Sequence, residues 1–83
     1  MKKAKINKNV TVTAVGFRKN MITYPKRIEF DGKTYDFIDA GLRCLIKHGE
    51  RIAEILTLSD GHNDYHLRRD SKADNWILLK ITA

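Results

Sequence analysis

The densest group of side chains able to do chemistry lies in a short polar segment around residue 62. Asp60, His62, Asp64 and His66 alternate carboxylates with imidazoles, a mixture that suits zinc, nickel or copper. A metal centre needs at least three such side chains to converge, whereas aspartate, glycine and asparagine are common in turns for backbone reasons alone. We therefore predict a polar turn with no native metal site or other cofactor, and these four residues are the cluster that a structure should test.

Nucleophilic catalysis has few residues to work with. Ser59 lies beside Asp60 and His62, but neighbouring positions of one turn point in different directions and do not align as a triad. The sequence Gly32-Lys33-Thr34 matches the end of a phosphate-binding loop, yet that motif needs a glycine where this chain has Arg27. We predict that the protein is not an enzyme.

Positive charge is concentrated in the first third of the chain. The protein has 83 residues and a formal net charge of +6, but residues 1–27 contain eight bases and no acid, while the rest holds eight bases and all ten acids. A one-sided basic block can neutralise phosphates. The candidate contacts, including a basic pair further along the chain, are Lys2, Lys3, Lys5, Lys8, Arg18, Lys19, Lys26, Arg27, Arg68 and Arg69.

These cations favour a nucleic-acid-binding protein, with DNA or RNA as its partner. Aromatic side chains beside them could also stack bases, although no zinc finger, KH loop or RNA-recognition signature is present. The alternative is a protein-interaction or assembly module, which would bind an acidic or strand-donating protein through its sheet edge. Neither hypothesis specifies an oligomeric state.

Cysteine content and hydropathy indicate a cytoplasmic protein with no membrane partner. Cys44 is the only cysteine, so no internal disulfide can form, and we expect its thiol to be buried as a small apolar group. No run approaches the roughly 18–20 apolar residues that cross a bilayer. Lys5 and Lys8 interrupt the stretch where a signal peptide would become apolar.

The chain divides into an arm and one domain. Residues 1–9 hold four lysines and few apolar side chains, so we predict a flexible basic N-terminal arm. Residues 10–83 are then a single small β-rich domain. Residues 10–17 alternate β-branched side chains, as a strand does, and Arg18 and Lys19 occupy the turn that follows.

The clearest local signal is a hairpin centred on Asp31-Gly32. Alternating runs flank this dipeptide, and both of its residues tolerate the positive φ that a type I′ turn requires. The resulting register pairs Ile28 with Tyr35. It also places Arg27 opposite Asp36 as a cross-strand ion pair. A three-residue turn with a bulge is the alternative, and it would shift this register by one residue.

Residues 39–48 fit two conformations. Asp39 is a good helix cap, and Leu42, Leu45 and Ile46 follow the spacing of a helical face. We predict one short helix and keep an extended alternative open.

The remaining sequence predicts further strands. Residues 51–59 have apolar side chains on both faces, which indicates a central strand, although a second helix would also fit Ile52, Ile55 and Leu56. A strand around Tyr65 follows the polar turn. Residues 76–81 form the last strand, for which we predict that Ile77, Leu79 and Ile81 face inwards. Large side chains belong inside so small a fold, and the aromatic residues expected in the core are Tyr35, Phe37 and Trp76.

Short strands at this spacing predict a mainly β fold that borders on α+β. We expect a small SH3-like or OB-like barrel, or a bent antiparallel sheet, with about five strands and one short helix near residues 39–48. Closure into a barrel would also remove exposed strand edges.

Overall fold

Seven antiparallel strands in one sheet make up the fold. The computed structural model describes residues 3–71, 73 and 75–83. In chain order the strands are β1 (Lys3–Phe17), β2 (Thr23–Phe30), β3 (Lys33–Asp36), β4 (Leu42–His48), β5 (Arg51–Ser59), β6 (Asp64–Asp70) and β7 (Trp76–Thr82). Their order in the sheet is β3-β2-β1-β7-β6-β5-β4. The described residues contain no helix, so the mainly β class is confirmed.

The 15-residue β1 connects the two halves of the sheet. Its first part, up to Val10, pairs with β7, and its second part, from Thr11, pairs with β2. A bulge at Asn7, whose φ is 53°, interrupts the first ladder. Because bulges bend a strand and increase its twist, β1 can pass from one half of the sheet to the other.

The predicted N-terminal arm is part of this strand from Lys3 onward. Lys3 pairs with Thr82 and Lys5 with Lys80, so residues 3–9 belong to the sheet rather than to an arm that leaves it. The sequence did not reveal this pairing because the partners lie more than 70 residues further along the chain. Met1 and Lys2 fall outside the described residues.

One face of the sheet, which we call the inner face, carries the hydrophobic core. Cross-strand pairs such as Leu56–Leu67 and Leu58–Tyr65 lie on it. The sheet curls over this face, since the ring of Tyr65 in β6 lies 5.3 Å from that of Phe37, beyond β3. The buried cluster consists of Val10, Ile28, Phe37, Leu56, Leu58, Tyr65, Leu67, Trp76 and Leu78. Each fully buried large apolar side chain contributes about 1.5–3 kcal/mol relative to exposure.

The predicted aromatic core is largely confirmed. Phe37 and Trp76 are buried, and Tyr35 is half-buried and packs against the cluster. Tyr35 and Tyr65 have ring centroids 5.2 Å apart at an interplanar angle of 49°, a tilted arrangement that aromatic pairs favour.

The type I′ hairpin is confirmed with its register. Asp31 and Gly32 have φ values of 53° and 75°, both in the region that this turn needs. Ile28 pairs with Tyr35. Arg27 lies opposite Asp36, and its Nε donates to the carboxylate at 2.6 Å.

The predicted helix near residues 39–48 is wrong, and the extended alternative is correct, because residues 42–48 form β4. Asp39 caps no helix; its carboxylate instead accepts the N–H of Gly41 at 2.8 Å. Gly41 has a φ of 59°, which a helix interior does not allow. A Cβ at Gly41 would overlap the carbonyl oxygen of Thr57.

The sheet is open, with seven strands, so the predicted five-stranded SH3-like or OB-like barrel is wrong. Its edges, β3 and β4, form no ladder with each other. The segment after β3 closes one corner of the gap, where Phe37 N–H donates to Lys26 C=O at 3.0 Å and Ile38 N–H donates to Ser59 C=O at 2.9 Å.

The last strand is confirmed, but two of its three predicted inward residues face the other way. Trp76 and Leu78 are buried on the inner face, while Ile77 and Leu79 are half-buried. Leu79 is an extra residue in the ladder with β6. This bulge returns Ile81 to the core side, where it packs against the buried cluster as predicted.

Candidate interaction surface

The edge strand β4 is exposed along its whole length and carries several large apolar side chains. All seven of its residues are exposed. Leu42 is 76% exposed, Leu45 52% and Ile46 51%. Cys44, which we predicted to be buried, is exposed as well. An exposed patch of large apolar side chains marks a binding surface more often than isolated exposed ones do.

Apolar side chains lie on both faces of β4. Leu42, Cys44 and Ile46 point away from the core, because their partners on β5 are Thr57, Ile55 and Ala53, on the outer face of the sheet. Leu45 lies opposite Glu54, on the inner face. The strand thus has apolar contacts to offer to a neighbour on either side of the sheet.

The backbone of β4 is also available to a neighbouring strand. A two-residue turn joins β4 to β5, so His48 and Arg51 close the hairpin as a hydrogen-bonded pair. Because hydrogen-bonded pairs alternate along an antiparallel ladder, the N–H and C=O groups of Arg43, Leu45 and Lys47 point outwards. They face away from the sheet, since β4 is its last strand.

The opposite edge of the sheet lacks these properties. Strand β3 has only four residues, Lys33 to Asp36, and two of them are charged. Short, charged strands are the usual protection of a sheet edge against unwanted pairing. Only β4 combines length, apolar side chains on both faces and an open backbone.

Two arginines and a buried glutamate hold β4 in place. Glu54 is 7% exposed. Arg43 Nε in β4 donates to its Oε2 at 2.5 Å, and Arg69 Nη2 in β6 donates to its Oε1 at 2.9 Å. The Arg69 guanidinium also lies 4.6 Å from the ring centroid of Trp76. The group links the edge hairpin to the core and makes β4 a fixed surface.

The start of β4 has its own anchor. Arg18 Nη2 donates to the carbonyl of Ala40 at 2.5 Å, and its Nη1 donates to that of Gly41 at 3.4 Å. The guanidinium of Arg18 lies 5.7 Å from the ring centroid of Tyr24. Arg18 therefore orients the segment that leads into the edge strand, and its phosphate contact stays a prediction.

A cavity of about 460 Å³ opens beside β4 on the inner face. Leu45 and Ile52 form part of its wall, together with the Arg43–Glu54–Arg69 group. It gives the inner face of the edge a recess with an apolar side and a charged side.

The structure divides the predicted phosphate-binding residues into two groups. The arginines at 18, 27, 68 and 69 hydrogen-bond to protein groups, with Arg27 and Arg68 paired to Asp36 and Asp70. The lysines at 5, 8, 19 and 26 are exposed and make no ion pair within the described residues. Lys2 lies outside the described residues, and of Lys3 only the backbone is described.

The predicted cluster around residue 62 is not assembled into a metal site. Within the described part of the chain, no three potential ligands come together. The Asp60 carboxylate accepts the N–H groups of His62 and Asn63, both at 2.8 Å, and so closes the turn. The ring of His66 instead lies between Thr57 and Thr82 on the outer face.

Asp60 and Tyr65 form a hydrogen-bonded pair in which both pKa values are shifted. The Tyr65 hydroxyl donates to Asp60 Oδ2 at 2.7 Å. Burial raises the pKa of Tyr65 to about 12, and the adjacent Asp60 carboxylate adds to the effect. Burial alone would raise the pKa of Asp60, but hydrogen bonds from Asn63, Tyr65 and His62 outweigh it and hold this pKa below 3.8.

Sequence reasoning did not single out the β4 edge as a surface. The signal was present, since Leu42, Cys44, Leu45 and Ile46 place apolar side chains on both faces of any strand. The same four residues also fit a helical stripe, and their exposure depends on where the strand lies in the sheet.

Comparison with known protein families, curated proteins and solved structures found no match to this chain. Among the described residues, no helix has both the length and the apolar character needed to cross a membrane.

Proposed function

We propose that this protein is a non-enzymatic interaction module that accepts a strand of a partner protein at the β4 edge. The observation that carries the proposal is the exposure of all seven β4 residues, which include Leu42, Leu45 and Ile46. In such strand addition, backbone hydrogen bonds supply affinity and alternate side chains supply specificity. Strand β4 offers both over seven residues, whereas β3 has only four residues, two of them charged.

The inner face of the edge adds a means of selection. A partner strand beside β4 would place every second side chain over Leu45, Ile52 and the adjoining cavity. The rim of that cavity carries Arg43, which is 28% exposed in its side chain. A side chain with an apolar stem and a polar end would match this recess, which Leu45, Ile52 and Glu54 line.

The test is photo-cross-linking in the cells that make the protein. Benzoylphenylalanine replaces Leu45 on β4 in one version and Thr34 on β3 in another, so both probes lie at a sheet edge. We expect adducts with a protein from the Leu45 position and none from Thr34. The absence of an adduct at Leu45, or equal adducts at both positions, would reject the proposal.

Nucleic-acid binding is a second candidate function, favoured by one feature of the outer face. Lys5 of β1 lies directly opposite Lys80 of β7. Like charges at opposed positions destabilise a sheet, and a phosphate placed between them would relieve the repulsion. Lys8 lies opposite Leu78, on the inner face, so this candidate site rests on Lys5 and Lys80.

This second candidate is tested by the salt dependence of binding. Losing Lys5 and Lys80 (Lys5→Gln with Lys80→Gln) should reduce the slope of log K against log salt by up to roughly 1.8 for duplex DNA. The matched control is Lys33→Gln with Lys47→Gln, which removes the same charge from the two sheet edges. If the unmodified protein binds neither DNA nor RNA at low salt, this candidate is rejected.

A further inference from the structure

We infer that the strand accepted at the β4 edge is β4 of a second copy of this chain. The inference rests on the proposed function and names the partner. It follows from the pattern of side chains along the strand Leu42 to His48, which is complementary to itself in one antiparallel register.

Symmetric pairing allows only a few registers. Two β4 strands related by a twofold axis are antiparallel. The axis must lie at the position of one residue, and not between two residues, so that opposed side chains lie on the same face of the sheet. The three central choices put the axis at Cys44, Leu45 or Ile46.

Two of these registers are unfavourable. An axis at Leu45 places Arg43 of each copy opposite Lys47 of the other, which gives two like-charge contacts. An axis at Ile46 places Leu45 opposite the ammonium of Lys47 and removes Leu42 from the apolar row. These registers would also use the outward-facing N–H and C=O groups of β4, so the side-chain contacts decide which register is favourable.

An axis at Cys44 removes these conflicts. On the outer face it pairs Leu42 with Ile46 of the other copy, Cys44 with Cys44, and Ile46 with Leu42, which makes one continuous apolar row. On the inner face Arg43 lies opposite Leu45, so its charge stays beside Glu54 in its own chain. Lys47 falls opposite Gly41, which has no side chain; the cation near this position is Arg18, whose guanidinium donates to the Gly41 carbonyl.

The backbone satisfies the same register. The outward-facing N–H and C=O groups belong to Arg43, Leu45 and Lys47, and this pairing joins Arg43 to Leu45 twice as hydrogen-bonded pairs. Cys44 then faces its counterpart at a non-hydrogen-bonded position, where Cα atoms lie about 4.5 Å apart. This distance falls within the range that a disulfide can bridge, so disulfide formation between the two Cys44 thiols tests this register.

The charge of the protein predicts how salt affects the dimer. Each copy carries a formal +6, so the copies repel one another, and salt screens this repulsion. Dimerisation should therefore strengthen as salt is added. Binding of an acidic partner or of nucleic acid should weaken instead.

The first experiment measures the dissociation constant of the purified protein by sedimentation equilibrium. A pair of single strands buries less area than a standard interface, so we expect a dissociation constant in the micromolar range. Leu45→Pro removes an outward N–H that β5 does not use and should weaken the dimer at least tenfold. Thr34→Pro on β3 is the matched control and should leave it unchanged.

A second variant guards against misfolding. If Leu45→Pro lowers the melting temperature, Ile46→Glu serves instead, because it places a charge in the outer apolar row without altering the backbone. We expect the same weakening from it.

The second experiment tests the register with diamide, which oxidises two thiols to one disulfide. Cys44 should form a linked dimer quickly. A variant with Cys44→Ser and Thr34→Cys has an exposed thiol on the other edge and should link only at the slower rate of random collision. Equal rates would reject the register centred on Cys44.

The outcomes separate the two proposals. A protein that stays monomeric at about 100 times the expected micromolar dissociation constant, while benzoylphenylalanine at Leu45 still captures another protein, overturns self-pairing and keeps the interaction module. A dimer that Leu45→Pro and Ile46→Glu leave intact forms elsewhere and overturns self-pairing. No dimer and no adduct at Leu45 overturns both.

Discussion

At the scale of single residues, Glu54 is the side chain on which the edge hairpin depends. It is the one buried charged residue within the described chain, and its two oxygens accept hydrogen bonds from Arg43 and Arg69. Burying a carboxylate is unfavourable unless it is paired and hydrogen-bonded. The pair of arginines meets that condition from both neighbouring strands.

Replacing Glu54 by Gln should destabilise the protein by about 2–3 kcal/mol, because two guanidinium groups would then share one site without a counter-charge. This loss is no larger than the smallest losses expected when a fully buried ion pair is broken, because the arginine side chains are 28% and 37% exposed. Asp36→Asn breaks the exposed pair with Arg27 and should cost less than about 1 kcal/mol. Urea unfolding of both variants measures the difference, and equal losses would contradict this account.

Acid should weaken the fold through Asp60. In the folded protein the pKa of Asp60 is held below the ordinary 3.8. Its ionised carboxylate therefore stabilises the fold fully above pH 3.8, and this stabilisation is lost as the pH falls through the lower pKa of the folded state. Asp60→Asn keeps an oxygen for the turn N–H groups but has no carboxylate to titrate. Its unfolding free energy should therefore fall less than that of the unmodified protein between about pH 5 and pH 2.

Alkali should weaken the fold through Tyr65, with the opposite sign. Its pKa rises to about 12 in the folded protein from an ordinary 10.0. Its contribution is complete below pH 10 and is lost as the pH rises towards 12. Tyr65→Phe retains the ring, and the stability of this variant should decline less over that interval. Thermal melting at each pH measures the decline in stability. An identical decline in both proteins would reject the assignment of this effect to Tyr65.

At the scale of elements, two glycines with positive φ have different reasons to be glycine. Gly32 has a φ of 75° in the hairpin turn, and a Cβ there would meet nothing within 4 Å. Gly41 has a φ of 59°, and a Cβ there would overlap the Thr57 backbone. Position 32 therefore requires only a positive φ, whereas position 41 requires both a positive φ and the absence of a Cβ.

Gly32→Ala should therefore cost about 1–2 kcal/mol, the strain of a left-handed conformation. Gly41→Ala should cost more, and about 3 kcal/mol or above is expected because backbone must move as well. The midpoints of urea unfolding compare the two variants directly. A larger loss at Gly32 would contradict the close packing of residue 41 against β5.

At the scale of the whole molecule, β1 joins the two halves of the sheet. Its first residues pair with β7 at Lys3, Lys5 and Lys8, so the basic start of the chain is part of the fold. Its lysines can contact a ligand only from fixed positions on the sheet.

Deleting residues 1–8 should therefore lower the melting temperature by about 10 °C or more, since β7 loses most of one neighbour and about 1 kcal/mol corresponds to 4–8 °C in a domain of this size. Lys5→Gln with Lys8→Gln removes charge and keeps the strand, and it should leave the melting temperature nearly unchanged. A deletion variant as stable as the full chain would show that the ladder with β7 contributes little.

Local sequence was sufficient wherever neighbouring residues impose the structure. The Asp31-Gly32 turn and its register followed from two adjacent residues, because their φ preferences select the turn and the turn aligns its strands. Residues 51–59 form a strand with the predicted bounds, but a second helix also fitted Ile52, Ile55 and Leu56, and pairing with β4 and β6 selects the strand.

Tertiary structure decided what depends on distant partners. Residues 42–48 carry a pattern that fits a helix or a strand, and pairing with β5 selects the strand. Residues 3–9 pair with β7, at the other end of the chain, and Ile6 packs against the buried cluster. The exposure of Leu42, Leu45 and Ile46 arises because β4 is the last strand of an open sheet, and the position of a strand in its sheet is set by all the strands together.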